Sequence, residues 1–258
     1  MPELEAELAR ARAWLVEAER VLVLTGAGIS TDSGIPDFRG PQGLWTRNPE
    51  MEKMATLDHY MGDTEVRKRS WASFLDERGF GGFRADPNPG HLCLVELERR
   101  AQLDTLITQN VDGLHQKAGI SPERVVEIHG SMQDVVCMQC GDRGPMEGAL
   151  ARVRAGEEDP SCKLCGGILK SATISFGQNL VPEDLSRCEL AAQRCDLLLA
   201  VGTSLGVYPA AGVVPISHAA GAHIVIVNGQ PTELDHLAHA RLEGSISEWL
   251  PRLVAAEG

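Results

Sequence analysis

Three groups of residues in this 258-residue chain have types and spacings that suit chemistry. The first is two Cys-x-x-Cys pairs, Cys137/Cys140 and Cys162/Cys165. Two thiolate pairs at that spacing close a tetrahedral shell around zinc. A glycine follows each second cysteine, Gly141 and Gly166, which suits the tight turn that aims backbone N–H groups at sulfur. Four sulfurs fill the shell, so such a metal is structural rather than catalytic. The plain alternative is two reduced pairs without metal. A redox role is disfavoured, because neither pair opens the helix of a βαβ unit. Cys93, Cys188 and Cys195 fall in helical or strand-entry patterns and read as core residues.

The second group is "GAGISTDSGIPDFRG", Gly26 to Gly40, which follows the apolar run "VLVLT". Its Gly-x-Gly lets backbone approach a phosphate at a helix start. The third glycine of the usual dinucleotide fingerprint is replaced by Thr31. A simple strand-to-helix turn would explain Gly26 and Gly28, but not the stiff Pro36 with Asp37, Phe38 and Arg39 behind it. A dehydrogenase would close the helix with that third glycine and leave one nicotinamide face open for hydride transfer. The third group is His129 at the end of "VVEIHG". With an ordinary pKa near neutrality a histidine suits general-base work. A strand-end histidine with a satisfied hydrogen bond is the structural alternative.

Short Val/Ile/Leu runs at 21–26, 104–110, 125–130, 196–204 and 223–229 predict buried parallel strands. Helical patterns at 1–20, 87–100, 182–194, 209–222 and from Ile246 onward lie around them. Alternation of this kind predicts an α/β fold with a doubly wound, Rossmann-like parallel sheet, whose ligands sit beyond the carboxyl ends of the strands. Five of those ends carry "TGAG", "TQN", "HG", "GTS" and "NG", and should meet at one crevice. The expected division is a Rossmann-like domain from 1–35, 86–133 and 172–258. A loop and helical insertion takes 36–85 and an inserted zinc-binding module takes 134–171.

Twenty-four basic residues face 36 acidic ones, a net charge of −12, and aromatic residues make up only 4%. That balance argues against nucleic acid as a partner and weakly favours basic, lysine-rich substrates. No apolar run approaches the roughly 18 residues of a membrane span. The N-terminus lacks the basic start and apolar core of a secretory signal. The expected location is the cytoplasm.

The chain resembles the sirtuins, NAD-dependent protein deacylases. "GAGISTDSGIPDFRG" is similar to their cofactor motif almost letter for letter, and "TQNVDGLH" (108–115) to their second motif. "HG" at 129–130, the cysteine pairs, "FG" at 176–177, "GTSLGVYP" (202–209) and "VN" (227–228) follow in the family's order. The resemblance implies that NAD, consumed as co-substrate, lies between the sheet domain and a structural zinc module. Gly26, Ala27, Gly28 and Ser30 would hold its phosphates, with Ile29 beside them. Asp37, Asn110 and Asp112 would line the nicotinamide pocket, flanked by Gln109 and Val111. Phe38 would shield the reactive face, Arg39 would hold the loop and phosphates, and Trp45 would close the loop. Gly202, Thr203 and Ser204 would meet phosphate and ribose. Asn228, Gly229 and Gln230 would meet the adenosine ribose, and Ile246 the adenine. His129 would be the general base, with Asn110 as its catalytic companion. An acylated lysine in an extended peptide would enter between "SFGQ" and "GTSLGVYP", against Phe176, Gly177 and Val207. His115 would be structural.

Two departures bear on the acyl group. Sirtuins that remove succinyl or malonyl groups carry a Tyr-x-x-Arg pair on a helix after the cofactor loop. Here "EVRKRSWASF" has Arg67 and Arg69, with no tyrosine three residues before either. "FGQ" also replaces the commoner "FGE". The competing readings are a mono-ADP-ribosyltransferase on the same scaffold, a non-catalytic NAD-sensing module and, more distantly, a dehydrogenase.

Overall fold

The computed structural model describes residues 2–37, 43, 55–76 and 85–255. In chain order they form helix α1 (Pro2–Glu17), strand β1 (Val21–Thr25), α2 (Leu57–Gly62), α3 (Thr64–Ser73), α4 (Pro89–Arg99) and β2 (Leu103–Thr108). There follow α5 (Leu114–Ala118), β3 (Val125–Glu127), β4 (Gly130–Cys137), β5 (Arg143–Pro145), α6 (Met146–Arg154) and β6 (Leu169–Thr173). The chain continues with α7 (Pro182–Arg194), β7 (Leu197–Val201), α8 (Val213–Ala219), β8 (His223–Asn228), β9 (Ala240–Glu243) and α9 (Ile246–Val254).

Six strands pair in parallel in the order β3-β2-β1-β7-β8-β9. The inner strands β1, β7 and β8 are nearly all apolar because both faces are covered, and the period of two decides which side chain goes where. Val21, Val23, Leu197, Leu199, Val225 and Val227 pack with Leu8 and Leu15 of α1, Leu94 and Leu97 of α4, and Leu250 of α9. Leu22, Leu24, Leu198, Ala200, Ile224 and Ile226 point to the other face, toward Ala191 of α7 and Val214 of α8. Each Val, Leu or Ile among them contributes about 1.5–3 kcal/mol when fully buried. The strand order reverses between β1 and β7, and in a doubly wound sheet that switch point opens the ligand crevice.

The five strands read from apolar runs are present. Four others are not visible as such runs. β9, "ARLE", is an edge strand with Arg241 and Glu243 on it, so only Ala240 and Leu242 are buried. β4, β5 and β6 form a separate antiparallel sheet in the order β5-β4-β6. Its strands are half-polar, and its core is small: Val135, Cys137, Met146, Leu150, Cys162 and Leu169, closed by Trp71 from α3. The segment before α3 is tied down as well. Phe176 N donates to Ala55 O (2.8 Å) and Leu57 N donates to Phe176 O (2.9 Å). Among the described residues no helix is long and apolar enough to cross a membrane.

Candidate active site

The carboxyl ends of the parallel strands open into one cavity of about 770 Å³. Gly26, Ala27 and Gly28 reach it from β1, Gln109, Asn110 and Val111 from β2, and His129 from β3. Gly202, Thr203 and Ser204 reach it from β7, Asn228, Gly229 and Gln230 from β8, and Ile246 from the start of α9. Asp37 lines it too. Phe38, Arg39 and Trp45 lie outside the described residues. On the opposite wall stand Phe176, Gly177 and Gln178, with Val207, Tyr208 and Pro209.

The missing third glycine has a geometric answer. Residues Ala27–Ser33 form a 3-10 helix that stops at Gly34, held at φ 88°. The close approach occurs between two strands instead. Gly28 N donates to Gly202 O at 2.8 Å. A Cβ on Gly202, whose φ is 62°, would sit 2.3 Å from Ile29 N, and one on Gly26 would sit 2.7 Å from Gly202 O. The glycine that lets backbone meet backbone therefore comes from β7.

Ile29 and Ser30 are each 1% exposed and lie behind the cavity wall. Ser30 Oγ donates to Asp112 Oδ2 (2.8 Å). Asn110 Nδ2 donates to Gly26 O and to Ser30 Oγ, both at 3.1 Å. Asn88 Nδ2 donates to Ile29 O (2.7 Å) and to Ser33 Oγ (3.0 Å). Ser30 and Asp112 thus brace the glycine turn from below. Asn88, which also caps α4, was not singled out by sequence motif. The clue to it was its place after Pro87 at a helix start.

His129 Nδ1 lies 3.0 Å from Gln109 O. A carbonyl only accepts, so Nδ1 carries the proton and Nε2 is the basic nitrogen. Gln109 Nε2 in turn donates to Thr203 Oγ1 (2.9 Å), linking the ends of β2 and β7 around the imidazole.

His91 and His115 sit beneath this network with ring centroids 5.0 Å apart. His115 Nε2 meets Thr25 Oγ1 at 2.9 Å, and His91 Nε2 meets Ser30 Oγ at 3.4 Å. Burial pushes His91 from 6.5 down to about 4, and burial followed by the neighbouring His91 pushes His115 down to about 3. A depressed histidine is neutral when folded, so its contribution to stability is present above pH 6.5. That contribution is lost as pH falls toward the folded values. Denaturant unfolding between pH 7 and pH 4 should show this decline, and an Asn88-braced turn that held its stability at pH 4 would contradict it.

In the small module the sulfurs of Cys137, Cys140, Cys162 and Cys165 all lie within 4.8 Å of one another. Cys137 and Cys165 are 3.5 Å apart and Cys140 and Cys162 3.8 Å apart. Those separations are far beyond a disulfide and match the roughly 3.8 Å edge of a tetrahedron with 2.3 Å zinc–sulfur bonds. Backbone N–H groups of Cys140, Leu164 and Gly167 point at sulfur. The backbone N–H of Cys140 first, and then that of Gln139, bring the Cys137 thiol down to about 6. Gly141 and Gly166 have φ of 74° and 75°, as the turns require. The four thiols fit a structural zinc.

A family model described as "Sir2 family" matches residues 26–209, more than half of the chain. The chain belongs to the Sir2 family. Among the most similar relatives of this sirtuin is NAD-dependent protein deacetylase 2 of Streptomyces coelicolor. It is 49% identical over 238 residues, 92% of this chain and 98% of the relative. A solved structure described as "Structural Basis for the Mechanism and Regulation of Sir2 Enzymes" superimposes with a TM-score of 0.85 at 36% identity, covering 97% of both chains. Another, "Structure of Sir2Tm bound to a propionylated peptide", has a TM-score of 0.81 at 30% identity, covering 93% of this chain and 94% of that one. The Sir2 match runs from the glycine turn, through His129 and the four cysteines, to Pro209, and so spans both walls of the cavity.

Proposed function

We propose that this chain is an NAD-dependent protein lysine deacylase, acting on acylated lysine in protein or peptide substrates. The observation that carries the reading is the convergence of His129 and five strand-end loops on one cavity. Residues 176–178 and 207–209 line the same cavity, with Phe176 and Tyr208 exposed at its edge. The likeness to a named NAD-dependent deacetylase supports it.

The residues fit NAD on the chain's own geometry: Gly26, Gly28 and Gly202 pack backbone on backbone, where any Cβ would clash, and so present two bare-backbone turns to the cavity at the start of a helical turn. When bound, NAD would supply an electrophilic ribose carbon for the acyl oxygen, with nicotinamide as its leaving group. Gly26–Gly28 and Gly202–Ser204 hold phosphate, with Ser30 and Ile29 fixing the turn beneath. Asn228, Gly229, Gln230 and Ile246 face the adenosine half. Asp37, Asn110 and Val111 line the nicotinamide end, and Asp112 anchors Ser30 there. Phe38, Arg39 and Trp45 complete that pocket in this reading. His129 Nε2 takes the proton of a ribose hydroxyl, and Gln109 holds the ring's other nitrogen. Phe176, Gly177 and Val207 flank the entering lysine. Water completes the reaction, giving free lysine, nicotinamide and acyl-ADP-ribose.

The four cysteines hold a structural zinc. The sheet domain comprises 1–35, 86–133 and 172–258, with insertions at 36–85 and 134–171, and the enzyme works in the cytoplasm. Incubation with NAD and a panel of acyl-lysine peptides should yield acyl-ADP-ribose and nicotinamide in equal amounts. Absence of both products across the panel would overturn the reading.

A further inference from the structure

The cavity wall that follows β7 carries a carboxylate that nothing in the fold uses. Ser204, Val207 and Tyr208 line the cavity there, and Gly206 lies between them in the chain. Gly206, unlike Gly202, does not have positive φ, so backbone conformation does not explain its missing side chain. What a side chain would meet is Glu233. A Cβ on Gly206 would lie 2.4 Å from Glu233 Oε1 and 2.9 Å from Glu233 Cδ. The backbone holds the two segments together, since Glu233 N donates to Ser204 O at 3.0 Å. The carboxylate thus lies against bare backbone, one residue from the cavity lining.

The acidic residues that follow it in the chain are engaged. Asp235 accepts from Thr232 Oγ1 (2.6 Å) and pairs with Arg241 (3.1 Å). Glu243 pairs with Arg241 too (3.3 Å). Glu233 is exposed, and its side chain has no ion pair or hydrogen bond among the described residues.

From this contact we propose that Glu233 sets a preference for lysine or arginine directly next to the acylated lysine of the substrate peptide. The proposal rests on the deacylase reading and adds the class of peptide it takes. An extended peptide running along 204–209 places one of its residues opposite Gly206. Residues opposite one another on paired strands have side chains on the same face, with Cβ atoms about 4.5–5.5 Å apart. At Gly206 that face holds the Glu233 carboxylate instead of a side chain. Successive side chains of an extended peptide point to opposite faces. An acyl-lysine directed into the cavity beside Val207 therefore turns its immediate neighbours away from it, and one of them faces Glu233. A long basic side chain lays its methylenes over bare Gly206 and brings its charge to the carboxylate. Alanine at that place leaves the carboxylate to water, and glutamate meets like charge.

The test uses acyl-lysine peptides with arginine, alanine or glutamate placed singly at each position from three before to three after the acylated lysine. Turnover with NAD, and binding by fluorescence anisotropy without it, are measured at low and high salt. Wild type should favour arginine over alanine by about two- to fivefold in kcat/KM at one position adjacent to the acyl-lysine, the range an exposed ion pair supplies. The gain should lie in KM and shrink as salt rises. Glu233→Gln should erase the preference and Glu233→Lys should turn it toward glutamate, while turnover of the alanine peptide stays unchanged. An equal gain from arginine at every position would trace it to the overall charge of −12 and overturn the proposal. A preference that survives Glu233→Gln, or none at either adjacent position, would overturn it as well. If the arginine peptides bind selectively through Glu233 but no peptide is turned over, the deacylase reading fails and the subsite stands.

Discussion

Replacing His129 by alanine should lower turnover of an acylated peptide by about 10²–10⁴-fold, the range a positioned general base contributes. The argument starts from the hydrogen bond between Nδ1 and Gln109 O, 3.0 Å long, which fixes Nε2 as the base. Alanine removes the base and leaves the cradle untouched, since the glycine turn is held by Gly202, Asn110 and Asn88. The backbone at 129 also stays in register, because Ile174 N donates to His129 O at 2.7 Å whatever the side chain is. NAD affinity should therefore change little while acyl-ADP-ribose formation collapses. Single-turnover product formation and NAD titration of the variant separate the two quantities. A variant that retained more than a tenth of the wild-type rate would remove His129 from its role, and a variant that lost NAD binding would recast it as part of the cradle.

The parts of this site that could be read from sequence are those carried by backbone chemistry and by long apolar runs. Val21–Thr25, Leu197–Val201 and His223–Asn228 are buried on both faces, so their composition betrays them. The glycines after them stand where side chains cannot, and so mark the cradle directly. The cysteine spacing is equally legible, because a tetrahedral shell tolerates few alternatives. What stayed hidden depends on three-dimensional meeting rather than on local pattern. Gly202 supplies the close contact that a third glycine would have given Gly26 and Gly28, from a strand far along the chain. Asn88 and His91 brace that turn through side-chain hydrogen bonds that have no period. β9 and the small sheet escaped for the same reason, since their strands have neither long apolar runs nor strict alternation.

Removing zinc, by chelation or by Cys162→Ser, should unfold the small module and abolish activity together. Cys137 is 1% and Cys162 3% exposed, and both belong to the module's core. That core is small, and a structural zinc contributes on the order of 10–16 kcal/mol to folding of such units, comparable with the whole stability of a domain, about 5–15 kcal/mol. The consequence reaches the active site through two connections. β4 begins at Gly130, the residue after His129, and Gly130 pairs with Thr173 of β6. Gly130 has φ 75°, and a Cβ there would lie 2.1 Å from Ala172 O, so this junction is tightly fitted. If the small sheet melts, His129 loses its backbone bond to Ile174. Metal content, near-UV circular dichroism and acyl-ADP-ribose formation should then fall in parallel during titration with a chelator, and return together when zinc is restored. A catalytic metal would behave differently: activity would vanish while the dichroism of the folded module persisted. Full activity in protein stripped of metal would refute both roles and leave the four thiols as two reduced pairs.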